Sequence, residues 1–494
     1  KYIAIDSGTH SFSGLTKINA NKDILVFGTR DWDYQLSYML DSTGNMEWSH
    51  RYFIPITPNN VPYYHFYDMT FTDDSGFIIA GSTCDSLYKQ ALALFRFDST
   101  GNLIWTKRYH FFRQDYCTAI VPKPNGKFAL CAATFKTYPQ GNRGAVHFLI
   151  IDSLGNILKS KRIGNDSISF APHSMKPLGN DFIVEGTCGL NFSYPEGYYF
   201  LMKLDNSGNV LKTKIFKGQE PYKERGLQVT RNNKIIYGFG DMSTPSFNLM
   251  QLDENLNVNW CKTITPYGTR MDLPFITETP DSNYLMFGYR FSGGTAKSVG
   301  CKIDTSGNVI AGFLINYLNG GFARQILSYG NKLLVHAIAD QSNNYTEGML
   351  FTTDFNLNAS CYTVPTGFNA IPFPITDSLV TINYFANYFP IYEDSIYVSD
   401  TTLNYTIGDL CSPNVINEIT TNSTIQVFPN PTNSTLTIFT GKIESITVIN
   451  LFGEVIIEKN VSSNKGKIEL DVSFLAPGIY FIRAGNEVRK FVKE

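Results

Sequence analysis

The 494-residue chain is poor in charge: 17% of its residues are Asp, Glu, Lys or Arg, and the formal net charge is −2. With no basic surplus to neutralise phosphates, nucleic acid is excluded as an expected partner. No apolar run approaches the roughly 20 residues that a spanning helix needs. The eight cysteines include no C-x-x-C pair, so redox and zinc chemistry have little to stand on. Also missing are the H-E-x-x-H motif, the G-x-S-x-G elbow and the phosphate-binding P-loop. No catalytic residue, metal or cofactor is therefore expected. Lys1 stands where an initiating Met would, which points to a chain whose leader has been removed.

Aromatic and turn-forming residues are abundant instead. Aromatics make up 14%, with 29 Tyr and 37 Phe beside 39 Gly. Tyr, Phe, Thr, Ile and Val suit strands, while Gly, Asn and Asp suit turns, so the composition leans to an all-β fold.

One phrase recurs. "LDSTGNMEW", "FDSTGNLIW", "IDSLGNILK", "LDNSGNVLK" and "IDTSGNVIA" share Asp-x-x-Gly-Asn, and "LDENLNVNW" and "TDFNLNASC" are worn copies. The turn aspartates are Asp41, Asp98, Asp152, Asp205, Asp253, Asp304 and Asp354, in steps of 48 to 57 residues. In phase with them runs an apolar strand ending in Gly or Ala, as in "DILVFG", "GFIIAG" and "KLLVHA". Each period contains four strand-like stretches joined by tight turns, and units of about 50 residues with four strands are blade-like. Residues 1–364 are thus expected to form a seven-bladed β-propeller, with six or eight blades as the runner-up. Residues 365–411 read as a strand-rich extension packed on it.

The repeated Asp reads as a hinge. Its carboxylate would accept from backbone N–H groups two or three residues ahead, with Gly in the left-handed conformation. A calcium loop needs several oxygen ligands at alternate positions, which these stretches lack. The phrase is only loosely similar to the Asp-box of sialidase propellers, Asp-x-Gly-x-x-Trp.

Other candidates have bland readings. His147 and His336 lie inside strands and read as packed residues. Asp31, Asp33, Glu220 and Glu224 read as solvated loop charge, although a glycosidase would need two such carboxylates across a cleft. The aromatic stretches 62–68, 191–200 and 383–392 could offer rings to a sugar or peptide on a propeller face. Cys117, Cys131 and Cys301 read as buried small hydrophobes. Cys361 and Cys411 are the pair best placed for a disulfide, which would pin the extension to the ring.

The character changes at residues 412–426, a polar connector. Beyond it, 427–494 alternates apolar and polar residues at the size of a small β-sandwich. It opens with "FPNP" (Phe428, Pro429, Asn430, Pro431) and "LTI" with Leu436. It continues through "ITVINLFGEVI" with Gly453 and "LAPGIYFIR" with Gly478 and Tyr480, and closes on "KFVKE" with Lys490 and Lys493. These motifs, in this order, closely resemble the type A C-terminal sorting domain of type IX secretion cargo from Bacteroidota. The resemblance implies a secreted or cell-surface protein. Its tail would engage an outer-membrane translocon, a shuttle barrel and a sortase, with the cut between Cys411 and Val427. The body would then be a non-enzymatic propeller binding a glycan, other polymer or protein, and the competing reading is a surface hydrolase with its site in the channel.

Overall fold

The computed structural model describes residues 2–5, 12–30, 34–53, 64–84, 90–112, 114–138, 141–164, 168–190, 198–217, 226–240, 247–266, 271–292, 295–315, 321–341 and 345–355. It also describes the short strands between 363 and 408, and residues 426–439, 445–450, 454–460, 467–484 and 487–494. The chain divides into two compact units, Lys1–Leu410 and Cys411–Glu494.

In the first unit antiparallel pairing builds consecutive meanders. The first contains strands Phe12–Ile18, Ile24–Arg30, Tyr34–Leu40 and Met46–Phe53. Five more four-stranded meanders follow, starting at Tyr64, Gln114, Ile168, Gly226 and Met271. The seventh supplies only Gly321–Tyr329, Lys332–Gln341 and Tyr345–Thr353 from its own stretch, and Tyr2–Ile5 from the N-terminus adds its fourth strand. First strands of consecutive meanders lie against one another, the seventh against the first, so they line an axis. This cyclic stack is a β-propeller, and among the described residues its pairings form seven blades.

The sequence explains the stacking. A second strand such as Phe77–Cys84, "FIIAGSTC", is apolar on both faces because a blade is covered on both sides. Between blades one and two, Leu25, Phe27, Met39 and Tyr52 meet Met69, Phe77, Ile79, Phe95 and Phe97. Phe77 stacks on Phe97 with centroids 4.8 Å apart. The closing seam has its own core, where Val26, Leu36 and Tyr38 meet Leu334 and Leu350. Each fully buried side chain of this size contributes about 1.5–3 kcal/mol.

The stretch after the seventh blade winds back around the ring. Thr363–Pro365 pairs with the outer strand of blade six, Phe368–Pro372 with blade five, and Asp377–Leu379 with blade four. Asn383–Phe385 pairs with blade three, Tyr392–Asp394 with blade two, and Ser399–Thr402 with blade one. Finally Tyr405–Gly408 pairs with Tyr2–Ile5 in blade seven. This belt gives every blade a fifth, antiparallel edge strand, in the reverse of chain order. The expected break at 364 falls inside its first strand, because a three-residue edge strand leaves no periodic trace. Of the aromatic stretch 383–392, Asn383–Phe385 and Tyr392 lie in belt strands, and residues 386–391 lie outside the described residues.

The second unit packs a three-stranded sheet (Gln426–Phe428, Thr435–Phe439, Lys467–Asp471) against a four-stranded one (Ser445–Asn450, Val455–Asn460, Gly478–Ala484, Glu487–Lys493). Leu436, Ile438, Ile446, Val448, Ile482 and Phe491 are among the residues of its core.

Candidate functional site

The recurring turn is a closed hydrogen-bonded unit. Asp41 Oδ1 accepts from the N–H of Thr43 and of Asn45, both at 2.8 Å, and Asp41 Oδ2 accepts from Asn45 Nδ2 at 3.2 Å. The same three bonds recur at Asp98, Asp152, Asp205, Asp253 and Asp304. The reach is thus two and four residues ahead, not two or three, because the Asn closing the turn presents both its N–H and its amide. Bonds from Thr43 and Asn45 lower the Asp41 carboxyl to about 2. At Asp152 burial pulls upward, but the bonds from Asn156 and Leu154 hold the carboxyl below its usual range. Asp354 stands at the end of the described part of its blade, whose fourth strand is Tyr2–Ile5, and the rest of its turn, Leu357 included, lies outside the described residues.

The turns also receive the neighbouring blade. Side chains seven and nine residues after one turn Asp donate to the next blade's turn. Trp48 Nε1 donates to Ser99 O at 3.0 Å, Lys107 Nζ to Asn156 Oδ1 at 2.8 Å, Lys212 Nζ to Asn255 O at 2.6 Å and Trp260 Nε1 to Thr305 O at 2.9 Å. Gly101 has φ +87, and a Cβ there would stand 2.7 Å from both Trp48 and His50. Glycine is therefore set by conformation and by the ring pressed on it. In the blade that follows the outer strand Val210–Lys217 the turn holds Leu256 instead of Gly, fully buried at φ 62.

At the axis, a cavity of about 660 Å³ opens where the first strands of blades four to seven end. Lys176, Gln228, Thr230, Arg231, Asn233 and Glu278 are among its lining residues. Arg231 Nε lies 3.3 Å from Glu278 Oε2, and Arg231 Nη2 donates to Thr279 O. On first strands of neighbouring blades, Asp68 pairs with Lys17 at 3.2 Å and accepts from Ile120 N at 3.1 Å. Burial pushes the Asp68 carboxyl up, but the charges of Lys17 and Lys176 prevail and lower it. Among the described residues this mouth is neither a ring of carboxylates nor a bare aromatic surface. Its residues carry no motif, and strand-end position was their only signal in the sequence.

The other candidates are placed as follows. His147 is buried, with Nε2 2.8 Å from Ser160 Oγ, and burial with the charge of Arg162 lowers its pKa to about 3. His336 is buried in the closing seam, with Nδ1 2.8 Å from Thr16 Oγ1. Phe66, from the 62–68 stretch, packs edge-on to Phe27 and Phe95 inside the blade interface. Cys117, Cys131 and Cys301 are buried thiols, and burial pushes the Cys131 thiol up to about 12. Asp31, Asp33, Glu220, Glu224, Cys361, Cys411 and Gly453 lie outside the described residues. Among the described residues no three His, Cys, Asp or Glu side chains gather where one ion could sit.

In the C-terminal unit the two ends of the segment are joined. Asn430 Oδ1 accepts from Val492 N at 2.8 Å, and Asn430 Nδ2 donates to Lys490 O at 3.2 Å. Thr432 N donates to Val492 O, and Glu494 N donates to Thr432 O. Lys493 is buried beside them. Phe428 stacks on Phe439, and Tyr480 stacks on Phe491 while donating to Ala476 O at 3.0 Å. Leu436 is fully buried, and Gly478 opens the strand that carries Tyr480. So the opening "FPNP" and the closing "KFVKE" form one hydrogen-bonded edge.

A family model described as "Secretion system C-terminal sorting domain" matches residues 426–494. The tail is a sorting domain. It implies interaction with the type IX secretion machinery, and the protein is a secreted or cell-surface cargo of that system. No curated protein matches the chain. Among solved structures, the Nup133 β-propeller domain of Vanderwaltozyma polyspora is similar at 10% identity and TM-score 0.35, covering 72% of this chain and 100% of that one. A GH43 β-1,3-galactosidase with galactodeoxynojirimycin is similar at 12% identity and TM-score 0.31, covering 55% and 95%. A glycosyl hydrolase from Bacteroides ovatus is similar at 9% identity and TM-score 0.26, covering 74% and 89%. None of these three likenesses bears on activity.

Proposed function

We propose that the exported body is a non-enzymatic binding propeller for an extracellular polymer or protein, delivered by its tail. The axial cavity is the observation that carries the binding reading. It is roomy and lined by amides, hydroxyls and charged groups from four blades, and among the described residues its one lining carboxylate, Glu278, is tied to Arg231. Such a set offers hydrogen bonds to a polar chain end, whereas hydrolysis of a glycoside by the usual route needs two carboxylates facing each other. In this reading the blades and the belt that edges them, through Gly408, form the ring, and 412–426 is the connector that a sortase cuts. Residues 427–494 are handed from the translocon to a shuttle barrel. Phe428, Pro429, Asn430, Pro431, Leu436, Gly453, Gly478, Tyr480, Lys490 and Lys493 form the recognised signal, and the turn aspartates serve only as hinges. A Cys361–Cys411 bridge would fasten the extension.

The binding reading is tested with an array of outer-surface glycans and peptides, probed with wild type and with Gln228→Ala/Arg231→Ala. Binding lost in the double variant supports it. Wild-type turnover of any arrayed glycoside or peptide, abolished by Glu278→Gln, would establish the hydrolase instead.

A further inference from the structure

The large apolar side chains exposed on the described propeller residues are not scattered. Ile104, Leu158, Leu211 and Ile310 each stand six residues after their turn Asp, and each is 50–54% exposed. The fifth, Leu154, is 64% exposed within the turn of blade three. First and third strands of a meander run in the same direction, so the turns after both lie at one end of the ring. All five side chains therefore sit on the rim of that end. The belt's described strands pair with the far halves of the outer strands, as at Arg108–His110 and Arg162–Gly164.

Lysines interleave with these residues. Lys159 follows Leu158 and Lys212 follows Leu211, with Lys161, Lys123 and Lys127 nearby on blade three. The ammonium of Lys123 is lowered by burial and then by the charges of Lys127 and Lys159, so these cations crowd one another. The nearest carboxylates, Asp152 and Asp205, are held by their own turns. Lysines alone would suffice to protect an exposed strand edge from pairing. Leucines at half or more of full exposure do nothing for that purpose. Apolar side chains set among cations on one rim are the chemistry of an interface with anionic lipid.

We propose that the turn-side rim of blades two to four docks on an anionic lipid surface, with Ile104, Leu154, Leu158 and Leu211 entering the interface and the lysines facing headgroup phosphates. This rim uses residues other than those of the axial cavity, which opens at the same end of the ring. A soluble polyanion would use the lysines and ignore the leucines.

The test is flotation of the full chain with vesicles of phosphatidylglycerol and phosphatidylcholine, against phosphatidylcholine alone. The full chain keeps any contribution of the tail constant among variants. Binding is expected only to the anionic vesicles, weakened at about 0.5 M salt. It should fall at least about tenfold in Leu154→Ser/Leu158→Ser and again in Lys127→Gln/Lys159→Gln, since each lysine near such a surface is worth roughly fivefold. Thermal melts confirm that both variants fold. The proposal is overturned by absent binding, equal binding to neutral vesicles, or binding that the leucine variant leaves unchanged. Retention on immobilised heparin that only the lysine variant abolishes, without vesicle binding, overturns it in favour of a polyanion.

Discussion

The Trp48 indole N–H donates to the carbonyl of Ser99 at 3.0 Å, across the gap between blades one and two. The turn that bends one blade is thus also the handle by which the preceding blade holds it. Gly101→Ala should destabilise the propeller by about 2–5 kcal/mol. A left-handed backbone costs a non-glycine residue roughly 1–2 kcal/mol, and overpacking against Trp48 and His50 adds about 1–3. Chemical denaturation followed by tryptophan fluorescence measures it.

Leu256→Gly restores the commoner turn residue and relieves the left-handed backbone, yet it should destabilise. Leu256 is fully buried in the core between blades four and five, and emptying such a site costs about 2–5 kcal/mol. A variant as stable as wild type would show that the turn matters more than its packing.

Asp115 carries a pH dependence of the opposite sign to the turn aspartates. Burial raises its carboxyl to about 7, against hydrogen bonds from Phe112 N and Phe111 N and the charge of Arg162. Its folded pKa exceeds the unfolded one, so its share of stability is complete below about pH 4 and is lost as pH rises through 7. The carboxyls of Asp41, Asp98, Asp152, Asp205, Asp253 and Asp304 are depressed, and their share is present above about pH 4 and lost as pH falls, for Asp41 through about 2. Asp115→Asn keeps an oxygen for the two N–H groups and removes the charge. Melts should show stabilisation of about 2–4 kcal/mol at pH 8 and little change at pH 4.

The repeat was legible because an Asp, a Gly and an Asn at fixed spacing survive in copy after copy, and because second strands such as Phe77–Cys84 are too apolar for anything but a doubly covered strand. The closure and the belt were not. Tyr2–Ile5 has four residues and Thr363–Pro365 has three, and strands this short show no alternation to read. Tyr2 pairs with Met349 and Gly408, and Val364 with Leu314, separations that no local pattern encodes. The axial groups Lys17, Asp68, Arg231 and Glu278 were hidden for another reason: only closure of the ring brings first-strand ends together.

The belt leads to a prediction about association. A chain ending at residue 362 loses the fifth strand from every blade, leaving outer-strand ends such as Arg162–Gly164 unpaired. Unpaired edges recruit strands from other molecules. The truncated chain should elute as concentration-dependent oligomers under light scattering, where the full chain does not; monodisperse behaviour would mean that the belt is dispensable for solubility.

Asn430 offers the sharpest test of the tail. Its side chain joins the opening motif to the closing strand through Val492 N and Lys490 O. Asn430→Ala removes both bonds and leaves the Val492 N–H without its partner. Losing two such bonds should cost the tail about 1–3 kcal/mol, with the propeller melt unchanged. Export reads out the consequence, because the recognised motif and the closing strand share this edge. The variant should accumulate in the periplasm, as should a chain lacking 427–494, while Lys467→Ala, on an exposed strand away from the edge, should be secreted normally. Full secretion of Asn430→Ala, with the tail measurably destabilised, would separate recognition from the folded edge and place the signal in extended sequence instead.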